Sequence, residues 1–474
     1  MRKSLGAAVL VAAGVLVSFR STYEPDLWWH LAQGRETAAG RLVRANRFSI
    51  DYPDYPQPYT SWLFDLGSYA LWSGAGPAAI QTLEAALIAG TLAMMAAACR
   101  QRSSLGATIA VCAFGWIVLE PRALPRPHLI SFFGLAACML AIESARRGRS
   151  WRPLLWCPAA IAVWSNFHVE CVFGVAALAL FAGGELVRPR DLSREDAAKA
   201  IVVTVAALLA TAANPYGFGL LRYTYENSFV PQLIDVAELR PPYLPNYRGF
   251  FAWAILAAVL AVVRRTCVSL SDALLITLFG ALGFRYLRLT PLLILASAPL
   301  VGRCLDDLRW FRAAPRLAPA VGVLAALLLV RVPLPTLVRD LRAGGDALEP
   351  PALFSPRAMA FARTNGLSGP VFTSINLGGY VAWHLYPAAH IFLDSRLQAY
   401  PPSHFRSVIE ASGDRRAWAA LTARVDWAVL SRPRANALSG VGEFDPAEWG
   451  VAFHDDAIEI IVRRSGRFGA IAAR

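Results

Sequence analysis

Charge is scarce in this chain and lysine is nearly missing. Charged residues fill 17% of the 474 positions, against about a quarter in soluble globular proteins. With 56% hydrophobic residues, that deficit excludes an ordinary soluble enzyme. Lysine occurs only at Lys3 and Lys199, so arginine carries the net charge of +13. No nucleic-acid-binding motif goes with it, and basicity in an apolar chain belongs to loops beside membrane spans. The cysteines, at 99, 112, 138, 157, 171, 267 and 304, all lie in or next to apolar runs. That placement argues against a disulfide framework, and their spacing fits no cysteine-based metal site. No internal repeat or low-complexity tract is present.

What the chain does have is long apolar runs, the mark of a polytopic membrane protein. They predict eleven spans: 4–20, 77–98, 104–119, 128–145, 153–166, 168–187, 197–213, 249–264, 270–284, 289–303 and 317–333. The fifth is short and bounded by proline, so it is tilted or broken. Arg2 and Lys3 precede the first run, but no small-x-small cleavage site precedes Ser21, which favours a retained helix over a cleaved signal. Residues 61–76 are too short for a span and read as an interfacial or re-entrant helix.

Arginine tests this layout. With the N-terminus in the cytoplasm, alternate loops carry Arg100 and Arg102, then Arg146, Arg147, Arg149 and Arg152, then Arg188, Arg190, Arg194 and Lys199. Arg264 and Arg265 follow, and then Arg303, Arg309, Arg312 and Arg316. This is the positive-inside pattern. It puts residues 21–60 and everything after 334 outside. The first of these regions contains an amphipathic helix near 27–40. The second lacks span-length runs and reads as a small α/β domain. Its linker is marked by Pro333, Pro335, Pro350 and Pro351. Its strands fall at 371–373, 390–393, 427–430 and 458–462, with helices at 403–411 and 414–424. The expected fold is therefore an all-α membrane bundle over 1–334, including the 21–60 loop and the 61–76 helix, followed by an extracytoplasmic α/β domain over 335–474.

On that topology the distinctive polar residues share one side. Glu24, Asp26 and His30 follow the first span beside Trp28 and Trp29. Glu120, Arg122, Arg126 and His128 lie between the third and fourth spans, and Asn166, His168 and Glu170 between the fifth and sixth. Arg285 and Arg288 close the last outside turn. Ionisable groups at membrane depth are costly and tend to mark function. A carboxylate there can serve as general base for an acceptor hydroxyl. Arginines can clamp a phosphate and stabilise a departing anion. Those are the parts needed to move a sugar from a polyprenyl-phosphate donor onto an acceptor.

Several motifs then carry a resemblance. Asp26-x-Trp28-Trp29-His30-Leu31-x-x-Gly34, followed by Asn46-x-Phe48-Ser49, resembles the first outside loop of a widespread bacterial family of polytopic proteins. That family looks like glycosyltransferases of the GT-C superfamily, which includes the protein O-mannosyltransferase and aminoarabinose transferase types. Further matches are Trp62-Leu63-Phe64-Asp65, Arg126-Pro127-His128, Asn166-Phe167-His168, Asn214-Pro215-Tyr216-Gly217, Arg288-x-x-Pro291, Asn376-Leu377-Gly378-Gly379-Tyr380 and Phe392-Leu393-Asp394-Ser395-Arg396. The resemblance implies Asp26 as base with Glu24 beside it, and Arg288 at a donor-phosphate position. The family usually has Asp where Glu24 stands, and often a His near Ser61.

These residues also admit plainer roles. Asp26 could cap the helix that follows. Trp28 and Trp29 could be interface anchors or sugar-stacking platforms. Asn166 and His168 could satisfy backbone in a tight turn, and Arg126 and His128 could be snorkelling interface residues. Glu24 and Asp26 could hold a divalent metal, Mg or Mn. Gly378-Gly379-Tyr380 lacks the ending of a phosphate loop and reads as a turn or helix start. Asp394-Ser395-Arg396 lines a site or forms an internal pair. The expected donor-binding set is His30, Arg122, Arg126, His128, Asn166, His168, Arg285 and Arg288. The implied partners are a lipid-linked sugar donor, membrane lipids and a glycan, lipid or protein acceptor at the bacterial inner membrane. A non-enzymatic scaffold for envelope polysaccharide assembly is the alternative. A transporter or flippase is disfavoured, because the span interiors are poor in charge.

Overall fold

A computed structural model describes residues 24–57, 60–228, 237–307, 348–432 and 442–472. The expected spans at 4–20 and 317–333 lie outside the described residues. The chain opens with α1 (Asp26–Ala38), α2 (Trp62–Ala75), α3 (Pro77–Arg100), α4 (Leu105–Leu119), α5 (His128–Gly148) and α6 (Cys157–Trp164). It continues with α7 (Cys171–Val187), α8 (Arg194–Ala210), α9 (Gly219–Ser228), α10 (Arg248–Val263), α11 (Leu270–Arg285) and α12 (Thr290–Asp306). Each other apolar run read as a span is a helix. However, only four stretches among the described residues are long and apolar enough to cross a membrane: Pro77–Arg100, Leu105–Arg122, His128–Gly148 and Leu287–Asp306. The helices Cys171–Val187 and Arg248–Val263 are apolar but shorter.

The described chain falls into two compact units. One gathers residues 81–225 with 237–307, and the other gathers 24–80 with 348–472. The division differs from a boundary at 334. The first loop and the 61–76 helix group with the C-terminal α/β elements, because those elements enclose α1.

The helical unit is stitched at its helix starts. Ser104 and Ser193 cap α4 and α8 through the amides of Ala107 and Asp196, and Ser269 with Asp272 forms a capping box on α11. At the end of α5 away from His128, Arg146 and Arg303 are buried instead of lying in loops. Arg146 meets Asp272 at 2.5 Å and Arg303 meets it at 2.7 Å, with Glu143 at 3.4 Å from Arg146. Glu185 accepts the amides of Arg190, Asp191 and Leu192. Acids on helices expected to be poor in charge supply the counter-charges that let these arginines turn inward.

The other unit contains α13 (Pro356–Thr364), β1 (Gly369–Thr373), α14 (Gly378–Leu385), β2 (Ala389–Ile391), α15 (Pro402–Ser412) and α16 (Arg415–Thr422), then β3 (Trp427–Ser431), β4 (Trp449–His454) and β5 (Ile458–Arg463). The sheet order is β2-β1-β3-β5-β4. β1 pairs parallel with β2 and β3, and β5 pairs antiparallel with β3 and β4. Val371 stands opposite both Ile391 and Trp427, which fixes the register. The α/β expectation holds, with one extra strand. β4 carries Gly450 and a register shift between Val451 and Phe453, which blur its alternation.

α1 is not a surface amphipathic helix. Leu27 to Gly34 are all buried. Trp28 is a core residue, its ring 4.9 Å from Tyr380, 5.3 Å from Phe354 and 5.6 Å from Trp72. It is therefore neither an interface anchor nor a sugar platform, and Trp29 is buried as well. Glycines set the distances. A Cβ on Gly34 would lie 2.1 Å from the backbone oxygen of Asp65 on α2. One on Gly378 would lie 2.2 Å from the oxygen of Leu393, and one on Gly379 would lie 3.0 Å from the backbone nitrogen of Trp29. Gly378-Gly379-Tyr380 is thus a helix start whose missing side chains let α14 close on α1. Gly34→Ala should lower stability by about 1–3 kcal/mol or more through overpacking, read as an earlier thermal unfolding of detergent-purified protein. An unchanged melt would mean that α1 and α2 do not meet at this distance.

Candidate functional site

The signature residues of the first loop and of the Asp394-Ser395-Arg396 segment meet in one buried polar cluster. Arg396 is 1% exposed. Its Nε donates to Asp394 Oδ2 at 2.8 Å, its Nη1 to Gln57 Oε1 at 3.0 Å and its Nη2 to Asn46 Oδ1 at 2.8 Å. Asn46 in turn donates to the carbonyl of Ala399 at 2.8 Å. With its amide oriented to match its neighbours, Gln33 on α1 accepts from Gln57 at 2.8 Å and Arg396 at 2.9 Å, and donates to Asp65 at 3.3 Å. Asp65 also takes the Nδ1 proton of His30, at 2.7 Å. His30 was expected to face a donor. It is instead 3% exposed and paired with a fully buried acid.

At the N-terminus of α1 the two acids divide their work. Glu24 Oε1 accepts the amide of Asp26 at 3.0 Å, satisfying a first-turn donor that has no partner within the helix. The residue at the cap position is Pro25, which makes no side-chain bond. Asp26 is half-buried, and its Oδ1 accepts from the Ser395 hydroxyl at 2.5 Å. The carboxylate thus faces the Asp394–Arg396 segment.

The helical unit has a second polar cluster, at the end where α5, α7 and α12 begin. Arg122 holds Glu238 through two bonds of 2.8 and 3.3 Å, and Arg126 reaches the same carboxylate at 3.2 Å. Leu287 donates its amide to the Arg240 carbonyl at 2.9 Å, tying the turn at Glu238 to the start of α12. His128 Nε2 lies 2.6 Å from the carbonyl of Arg122. His168 Nδ1 lies 2.7 Å from Ser131 Oγ and 3.4 Å from Glu170 Oε2. Both contacts use one ring nitrogen, so Ser131, His168 and Glu170 are not a relay. Glu170 also feels the charges of Arg288 and His128. Asn166 donates to the carbonyls of Ala162 and Ala213 at 2.8 and 2.7 Å, which is the backbone-satisfying role. Arg285 is exposed, its guanidinium 4.7 Å from the Tyr286 ring. Arg122, Arg126, His128, His168 and Arg288 are therefore brought together, while Asn166 serves the turn.

Glu238 was not singled out in sequence, although an acid set among Val236, Ala237 and Leu239 in an arginine-rich neighbourhood was a usable signal. Burial opposes its ionisation, but Arg126 and Arg122 outweigh that and hold the carboxyl below its ordinary range. Among the described residues no group of three or more His, Cys, Asp or Glu side chains could hold a metal ion. Among those residues Glu24 and Asp26 find no third such ligand.

No family model matches the chain, and no curated protein matches it. Solved structures do. The chain is similar to the oligosaccharyltransferase AglB of Archaeoglobus fulgidus, in complex with an inhibitory peptide and a dolichol-phosphate. The TM-score is 0.58 at 11% identity, covering 91% of this chain and 70% of that one. At that identity the likeness is one of fold. The apo form of the same protein gives 0.56 at 12% identity, covering 90% of this chain and 70% of that one. Its complex with Zn and sulfate gives 0.55 at 13% identity, covering 94% and 71%. The shared fold agrees with the apolar helices and the C-terminal sheet domain described above.

The Glu238 tie has a definite pH signature. Its folded pKa is depressed below an ordinary value of about 4.3, so its stabilisation is complete above that value and is lost as pH falls through the folded pKa. The melting-temperature gap between wild type and Glu238→Gln should stay constant from pH 7 to about 5 and shrink below about 4. A gap that closes between pH 7 and 6 would contradict the pairing.

Proposed function

We propose that this protein is an integral-membrane glycosyltransferase. It moves a sugar from a polyprenyl-phosphate-linked donor to an acceptor at the outer face of a bacterial cytoplasmic membrane. The observation that carries the reading is the likeness to AglB over 91% of the chain at a TM-score of 0.58. AglB has been seen with an inhibitory peptide and a dolichol-phosphate, and the Archaeoglobus fulgidus oligosaccharyltransferase with a tethered acceptor peptide. A half-buried acid at the start of α1 supports it.

In this reading Asp26 takes the proton of the acceptor hydroxyl. The acceptor oxygen bonds the sugar's anomeric carbon as the bond to the donor phosphate breaks. The leaving prenyl phosphate carries away the electron pair. A leaving group of that kind is stabilised by positive charge. Glu24 sets the start of α1. His30, His128 and Asn166 support the framework in place of contacting the donor. The C-terminal α/β domain stands outside the membrane.

Asp26→Asn keeps size and removes the base, so transfer should fall by roughly 100-fold or more. The readout is the glycan and lipid profile of cells carrying the variant, beside wild type and a deletion. A species lost in both the deletion and the Asn variant supports the enzyme. A species lost in the deletion but normal in the Asn variant would make the protein a scaffold for envelope assembly.

A further inference from the structure

We propose that Ser395 is a positioning residue for Asp26, so that the C-terminal domain holds the acid of the first loop in its working orientation. The inference rests on Asp26 being the base. Ser395 Oγ donates to Asp26 Oδ1 across 369 residues of sequence. A serine hydroxyl on a mobile loop would hold a carboxylate poorly. This one sits on backbone pinned on both sides. Thr373 on β1 donates its hydroxyl to the Leu393 carbonyl at 2.7 Å. Asp394 Oδ1 accepts the amide of Arg396 at 2.9 Å, and the Arg396 guanidinium is anchored to Asp394, Gln57 and Asn46. Gly378 admits this segment, since a Cβ there would lie 2.5 Å from the Asp394 side chain.

The other side of the contact is equally set. The Asp26 amide is held by Glu24, and Gly379 lets α14 abut the same turn of α1. Backbone and Oδ1 are thus both fixed, which determines the plane of the carboxylate. An ionised carboxylate only accepts, so Ser395 must donate and keeps its proton throughout. A base that must meet its proton within hydrogen-bond reach gains from a support that does not itself exchange protons.

Threonine and valine have nearly the same shape and differ in the hydroxyl, which makes Ser395→Thr and Ser395→Val the deciding pair. Each is expressed in the deletion strain at matched membrane levels, with Ser395→Ala and Asp26→Asn alongside. The readout is the amount of the glycan or lipid species that the deletion loses, with thermal unfolding of each purified variant in one detergent. Ser395→Thr should restore the species. Ser395→Val and Ser395→Ala should fall roughly 10- to 100-fold, as misplacement of a reacting group does, while melting close to Ser395→Thr. Full activity in Ser395→Val beside loss in Asp26→Asn overturns the positioning role and leaves Asp26 as base. Threonine and valine variants lowered alike in activity also overturn it, making the contact a tether only. Normal product from Asp26→Asn removes the reading on which the inference stands.

Discussion

The second unit is organised by one buried guanidinium. Arg396 is almost completely removed from water, and its charge and N–H donors have to be met inside. Asp394 meets the charge, while Gln57, Asn46 and Gln33 take the remaining directions. Those partners come from the loop after α1, from α1 itself and from the strand end beside Arg396. A chain that satisfies this one side chain has already brought its first loop against its C-terminal domain. The glycines at 34, 378 and 379 follow from that closeness, and the aromatic packing of Trp28 fills what remains. Losing a partner would leave charge or donors stranded, which costs about 3–5 kcal/mol for a buried pair.

The helices were largely legible in sequence, because apolar runs bounded by Pro, Gly, Ser and Arg announce themselves. Their lengths were not. Whether a run makes a full crossing depends on where its turns close. The strands at 371–373, 390–393, 427–430 and 458–462 were readable from β-branched and aromatic residues, whereas β4 was hidden by its glycine and its bulge. The motifs were visible as motifs, but their work was not. Period and composition tell which residues are apolar, and they carry nothing about a polar pair hundreds of positions apart. His30 looked like a donor ligand because nothing in sequence showed Asp65 facing it. Arg146 and Arg303 looked like loop charges because Asp272 and Glu143 sat unnoticed on helices that otherwise read as apolar.

This changes what the signature means. Most of it maintains architecture: His30, Gly34, Asn46, Phe48, Asp65, Gly378, Gly379, Asp394 and Arg396 fit one region together. Asp26 and Ser395 stand at the margin of that region, half-buried, where a framework can present a reactive group. The arginines of the helical unit show a similar division. Arg122 and Arg126 are partly occupied by Glu238, which keeps two cations close together in a poorly hydrated place, whereas Arg288 stays exposed beside the field of Glu170. In each unit, charge is first stabilised by protein partners and then left facing outward.

The distance between Asp26 and Ser395 along the chain also has a consequence for biosynthesis. α1 emerges 369 residues before the hydroxyl that completes its surroundings, and its polar side chains, Gln33 and His30 among them, are made long before Arg396. Until the last quarter of the chain has been translated, α1 has α2 beside it but lacks the cover of α14 and of the Asp394–Arg396 segment. A product stopped early carries it without that cover and open to proteolysis. The cover of this helix is therefore complete only once the C-terminal domain has been made.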